Sequence, residues 1–192
     1  MKLEKTDSSA GEGELVRAAQ RGDAGAFKRL YETYRDRVYN LIFYWLGDRA
    51  VAEDVLQAVF LKVHRGLRGF RFESSLATWI YRVAANECRN QTRRRGAQMV
   101  PLEDVLGSGE EIDPGPLQDD QHATSERQEI IRQAIMELPA DLRAVVVLKY
   151  LEGLAYEEIA EVLGCAPGTV ASRLNRALGR LESQLKPVRR LL

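Results

Sequence analysis

Thr169, Ser172, Arg173, Asn175 and Arg176 place hydroxyl, amide and guanidinium donors at helical spacing within a few residues. Such donors pair with base edges and phosphates in a DNA groove. The preceding residues have the spacing of a helix-turn-helix. In AYEEIAEVLGCAPGTVASRLNRALGRL, Ala160 is small enough for a second helix to cross closely, Gly164 accepts the positive φ that ends the first helix, and Val170 packs between the two. A helix hairpin that merely packs uses the same small and apolar positions. It has little need of the donor face.

A second donor set lies upstream. Arg82, Asn86, Arg89, Asn90 and Arg93 recur along one side of the segment 76–94, while Leu76, Trp79, Ile80 and Val83 form its inward stripe. Ordinary solvated faces mix both charges; here Glu87 is the one acid. Phe70, Phe72, Trp79 and Tyr81 lie beside it. Rings next to arginine and amide groups suit unpaired bases, which stack on the rings while donors hold edges and phosphates. Core packing accounts equally for Trp79. A third face combines Glu53, Asp54, Gln57 and Leu61, opposite the apolar series Val51, Val55, Val59, Val63 and Leu67. That face fits either solvated surface or a dock for a basic partner helix.

The elements that must position these groups are all helical by periodicity, and no strand alternation bounded by hairpin turns is present. The pattern predicts a short helix over 14–20, stopped at Arg21 and Gly22, then a long one after Asp23 as N-cap. In the long helix Phe27, Leu30, Tyr31, Tyr34, Val38, Leu41, Ile42 and Trp45 make one stripe. Gly47 and Asp48 separate it from a helix over 49–67. Ser74 or Ser75 caps the helix over 76–94. After Pro139-interrupted helices over 126–137 and 140–151 comes the helix-turn-helix. The expected fold class is all-α, with a helical domain at 1–95, an acidic linker at 96–125 and a helix-turn-helix domain at 126–192.

Among the 192 residues, 28 Lys and Arg balance 28 Asp and Glu, which by itself argues against a simple nucleic-acid binder. The distribution reverses that reading. RNQTRRR from Arg89 and the segment 173–190 are basic, whereas 99–126 lacks Lys and Arg and carries Glu103, Asp104, Glu110, Glu111, Asp113, Asp119 and Asp120. With Pro101, Pro114 and Pro116 and three glycines, that connector has the composition of a linker. Its extended reach of roughly 100 Å exceeds one duplex turn.

Cys88 and Cys165 have no metal-ligand spacing, so no metal and no other cofactor is expected. An enzyme using Glu53, Asp54 and His64 lacks every supporting motif: HExxH, P-loop and nucleophile signatures are all missing. A self-sufficient regulator that binds duplex operators as a dimer would share the donor faces. A helical adaptor without DNA contact would explain the core stripes but not the cationic faces. With no apolar run of signal-peptide or membrane-spanning length, the chain is expected to be cytoplasmic.

Taken in order, LVRAAQRGDAGAFKRLYETYRDRVYNL, AEDVLQAVFLKV, FRFESSLATWIYRVAANECRN and LPADLRAVVVLKYLEGLAYEEIAEVLGCAPGTVASRL resemble the bacterial sigma factors of the extracytoplasmic-function group. The resemblance implies a dissociable, non-enzymatic initiation subunit of RNA polymerase with two helical domains, sigma regions 2 and 4. It implies that Glu53, Asp54, Gln57, Phe60 and Leu61 dock on the β′ coiled coil of core polymerase, with the β subunit as a further partner. Phe70, Arg82, Asn86, Arg89, Asn90 and Arg93 would take the −10 element as a displaced strand, Phe70 and Asn86 holding a turned-out base. Thr169, Ser172, Arg173, Asn175 and Arg176 would read the −35 duplex. Two departures stand out: Ala58 where the family usually has an acid, and Ala171 where many members carry Lys or Arg. An anti-sigma factor that holds the protein at the inner membrane is implied by resemblance alone, and the linker acids would imitate nucleic-acid charge inside polymerase.

Overall fold

The computed structural model describes residues 4–98 and 122–188, and among them every regular element is a helix. Helix α1 spans Glu4–Gln20, α2 Ala24–Leu46, α3 Arg49–Gly66 and α4 Leu76–Gln98. They are followed by α5 His122–Met136, α6 Ala140–Val146, α7 Tyr156–Leu163 and α8 Pro167–Leu185. The linker acids between Glu103 and Asp120 lie outside the described residues.

Local chemistry sets most of these bounds. Asp23 accepts from the Ala26 N–H at 3.0 Å and Asp48 from the Val51 N–H at 3.0 Å, so α2 and α3 begin where a carboxylate satisfies an otherwise orphan donor. Gly47 ends α2 in the left-handed region at φ 72, donating to the Phe43 carbonyl. Ser75 caps α4 by accepting from the Thr78 N–H. The first helix is longer than the 14–20 segment, and α4 and α5 each intrude on the expected 96–125 connector. Gly96 disfavours a helix by only about 1 kcal/mol, too little to stop a run of helix formers such as Arg94 and Arg95.

Helices α2, α3 and α4 pack together, and α1 covers α2. The stripe of α2 is buried at Leu30, Tyr34, Val38, Leu41 and Ile42, against Val55, Val59 and Val63 of α3 and Ile80, Ala84 and Cys88 of α4. Each fully buried aliphatic side chain of this kind contributes roughly 1.5–3 kcal/mol. In the second half α6 and α7 pack on α8 around Leu148, Ile159, Val170 and Leu174.

The two halves also pack on each other. Helix α7 lies against α4 and α6 against α2, and one continuous set of buried apolar residues runs through both. Between α6 and α7 the chain opens into a π-helical turn, Val147–Leu151, and Gly153 adopts φ 68. The Glu152 side chain, 3% exposed, follows that turn. It accepts from Arg37 Nε at 2.7 Å and from the Tyr81 hydroxyl.

Burial above all, then the hydrogen bond to Glu12, raises the Tyr34 phenol, and burial followed by the Glu152 bond raises that of Tyr81. Burial also pushes the Cys88 thiol up to about 12. Free thiols and phenols ionise near ~8.5 and ~10, so the unfolded chain loses these protons first as pH rises. All three groups therefore stabilise the fold fully below about pH 8.5 and lose that contribution progressively above it. Thermal melts should show Tm falling monotonically above about pH 9; a Tm that stays flat across the same interval contradicts this assignment.

Candidate nucleic-acid interface

The helix-turn-helix forms as its spacing requires. Gly164 adopts φ 59 and ψ 43 at the end of α7, Ala160 is buried against α8, and Val170 is fully buried between the helices. Pro167 occupies the first turn of α8, where its missing N–H costs no hydrogen bond. Ser172, Asn175 and Arg176 are exposed on the far side of α8, and Thr169 is half-buried. Arg173 turns back toward Asp141 of α6, its Nε 3.6 Å from the carboxylate. Ala171 leaves the adjoining position without a cation.

The donor face of α4 also forms, but most of it already has partners. Arg82 donates to Glu161 at 2.8 Å. Arg89 donates to Asn86 Oδ1 at 2.7 Å and to the Leu163 carbonyl at 2.7 Å, and its guanidinium lies 5.7 Å from the Trp45 ring centroid. Asn90 donates to Glu87 at 3.3 Å. Arg93 is exposed.

Beside this face the loop after α3 forms a cleft lined by Gly69, Phe70, Arg71, Glu73, Trp79 and Arg82. Phe70, expected to hold a base, is only 8% exposed and packs inward, its centroid 5.3 Å from that of the tilted Trp79 ring. The ring at the surface is Phe72, 44% exposed, held at φ 60 with the Arg17 guanidinium 5.3 Å from its centroid. Gln20 fixes this loop, donating to the Leu67 carbonyl at 3.0 Å and the Phe70 carbonyl at 2.8 Å. Gly66 lies close under Trp79, where a Cβ would stand 3.1 Å from the indole and the ring would have to shift. The roles of Arg17 and Gln20 escaped sequence reasoning, whereas Phe72 is one of the rings expected beside the donor face.

On α3, Glu53, Asp54, Gln57 and Leu61 are exposed along one side, and Leu61 is 58% exposed. Phe60, expected at the same seam, is instead buried against Tyr31, with centroids 4.7 Å apart. One residue turns a helix by about 100°, enough to take Phe60 into the core and leave Leu61 at the surface. Tyr81 likewise belongs to the interior. His64 packs edge-on against Phe27 rather than beside Glu53 and Asp54.

Two helical modules, one with a helix-turn-helix and one with an aromatic cleft beside a cationic helix, define the class. Residues 30–98 match the family model for Sigma-70 region 2, and residues 128–181 match that for Sigma-70, region 4. The chain belongs to the sigma-70 family, and within it to the extracytoplasmic-function group. It is 36% identical over 181 residues to the ECF RNA polymerase sigma-E factor of Haemophilus influenzae, covering 91% of this chain and 95% of that protein. It is 37% identical over 189 residues to the RNA polymerase sigma-H factor of Pseudomonas aeruginosa, covering 92% and 95%. Among solved structures it resembles the sigma factor RpoE of Bartonella quintana, crystallised with the anti-sigma factor NepR. That likeness has a TM-score of 0.63 and 28% identity, over 83% of this chain and 96% of that one.

Proposed function

We propose that this protein binds core RNA polymerase and directs it to a specific set of promoters, acting as a transcription initiation factor with no catalytic step of its own. The 1–95 domain docks through Glu53, Asp54, Gln57 and Leu61 of α3 on the β′ coiled coil, and takes the −10 strand with Phe72, Arg82, Asn86, Arg89, Asn90 and Arg93. In this reading Phe70 forms the floor of the base cleft. The 126–192 domain reads the −35 duplex through Thr169, Ser172, Asn175 and Arg176, joined by Arg173 once it leaves Asp141, and meets the β subunit. The observation that carries this reading is the division of two donor faces between two modules, a recognition helix in one and an aromatic cleft in the other. Unstacking a base costs a few kcal/mol, and stacking on a ring returns roughly 1–3 kcal/mol, so binding energy alone can open the −10 element. An anti-sigma factor is the expected regulator, as in the relative crystallised with one. No described helix is long and apolar enough to cross a membrane, which accords with a cytoplasmic protein reaching the inner membrane only through such a partner.

In vitro transcription with bacterial core polymerase and a genomic library tests the reading and returns both promoter elements together. Initiation no more selective than that of core alone refutes it. Arg176→Ala should weaken −35 binding of the holoenzyme by about 1–3 kcal/mol if the guanidinium grips a guanine, measured by mobility shift on duplexes with base changes in the element. Equal weakening on every duplex would assign Arg176 to phosphate instead.

A further inference from the structure

Phe72 stands in a conformation that its residue type disfavours. Among the described residues it is the one non-glycine with a positive φ, at 60. A Cβ in that region crowds the carbonyl oxygen that follows, whereas glycine makes the same turn without strain. Packing does not account for the choice. The ring is 44% exposed, and it meets the Phe70 ring, tilted with centroids 5.0 Å apart, and the Arg17 guanidinium 5.3 Å from its centroid. The arrangement is nevertheless held firmly. Gln20, one turn beyond Arg17 in α1, donates to the Leu67 and Phe70 carbonyls at 3.0 and 2.8 Å, so a single helix fixes both the loop and the cation laid over its ring. Arg17 is exposed, and among the described residues no carboxylate pairs with it. In the segment 67–75 Arg68 and Arg71 are exposed as well, against one acid, Glu73.

An exposed ring with a guanidinium over it is a flat cationic surface. Unpaired bases stack on aromatic rings and on arginine planes alike, and the charge favours the phosphates beside them. The cleft described above is lined by Phe70, Trp79 and Arg82, and Phe72 takes no part in it. Resting on the reading under Proposed function, we infer that Phe72 and Arg17 form a second base site: an unpaired base next to the one in the cleft stacks on the exposed side of this pair. Helix α1 thereby becomes part of the −10 surface. Phe72 and Arg17 touch the base, while Gln20 acts through the loop carbonyls and is a positioning residue. The match to region 2 covers residues 30–98, so Arg17 and Gln20 lie outside it. Strain at Phe72 is kept because glycine, which would relieve it, has no ring to offer.

The test uses holoenzyme assembled from the full chain and core polymerase, titrated with a fluorescein-labelled promoter from the transcription library whose −10 segment is left single-stranded. Phe72→Gly should weaken binding by roughly 5-fold to 100-fold, the loss of one stacked base. Phe72→Tyr keeps the ring and should stay within about twofold of wild type. Arg17→Lys keeps the charge but not the plane and should still lose about threefold or more. An abasic nucleotide moved through the −10 segment should find one position at which wild type and Phe72→Gly bind alike, different from the position coupled to Asn86→Ala. Melting of the free chain checks the premise: Phe72→Gly exchanges ring contacts for relief of strain and should hold Tm within about 4 °C of wild type. A larger fall means that the ring is kept for packing and overturns the site. So does equal weakening on every abasic template, a coupled position shared with Asn86, or an Arg17→Lys variant equal to wild type, which would leave Arg17 a phosphate contact. Unselective initiation by wild-type holoenzyme sinks the sigma reading and the site with it, whereas a selective wild type with unaffected variants sinks the site alone.

Discussion

Leu61→Asp should cost about 2–4 kcal/mol of affinity for core RNA polymerase, the range of a central apolar anchor at a protein interface. That corresponds to a loss of roughly 30-fold to 1,000-fold in competition against labelled wild type. The side chain is 58% exposed and has Glu53, Asp54 and Gln57 as neighbours on the same face of α3. Its substitution should therefore leave thermal stability within about 0.5 kcal/mol of wild type. The adjacent residue supplies the contrast. Phe60→Ala should lower stability by about 3–5 kcal/mol, because it empties the space beside Tyr31. If the two variants instead showed the same profile, with equal losses in melting and docking, the assignment of α3 as a polymerase-facing surface would be untenable.

Leu148→Ala should destabilise the protein by about 2–5 kcal/mol, as deletion of a fully buried leucine does when its surroundings relax only partly. The more informative outcome is which signal reports the loss. Both tryptophans, Trp45 and Trp79, belong to the first domain, whereas Leu148 belongs to the second. Trp45 sits on the boundary, with Arg143 donating to its carbonyl and Arg89 against its ring. A shared cooperative transition moves the tryptophan fluorescence midpoint in urea together with the far-ultraviolet circular dichroism midpoint. Two separated transitions, with fluorescence unmoved, would mean that the apolar cluster spanning the halves contributes little to either.

Local chemistry explains which parts of the structure are readable from residue order. The caps at Asp23, Asp48 and Ser75 and the glycines at 47 and 164 act over one helical turn, so residue identity predicts where the chain starts and stops a helix. The stripes of α2 and α3 are legible for the same reason, since a period near 3.6 places every apolar member on the side that becomes core. Periodicity is less decisive for residues near the edge of a stripe, from which Phe60 goes inward, and it has no bearing on a loop residue such as Phe70, which also goes inward. The π-helical turn before Glu152 has no sequence signal at all.

By its own order of residues, this chain determined an all-helical fold, two modules and three polar helix faces. Those properties follow from spacing along single helices. Tertiary structure decided which of those donors are free: Arg82 and Arg89 found carboxylate and carbonyl partners 73 to 79 residues away in sequence, and Glu152 was buried between Arg37 and Tyr81. Partners so distant share no helical period. Their pairing depends on how two folded surfaces fit, where burial of apolar area sets the docking and the charges must then satisfy one another or remain uncompensated.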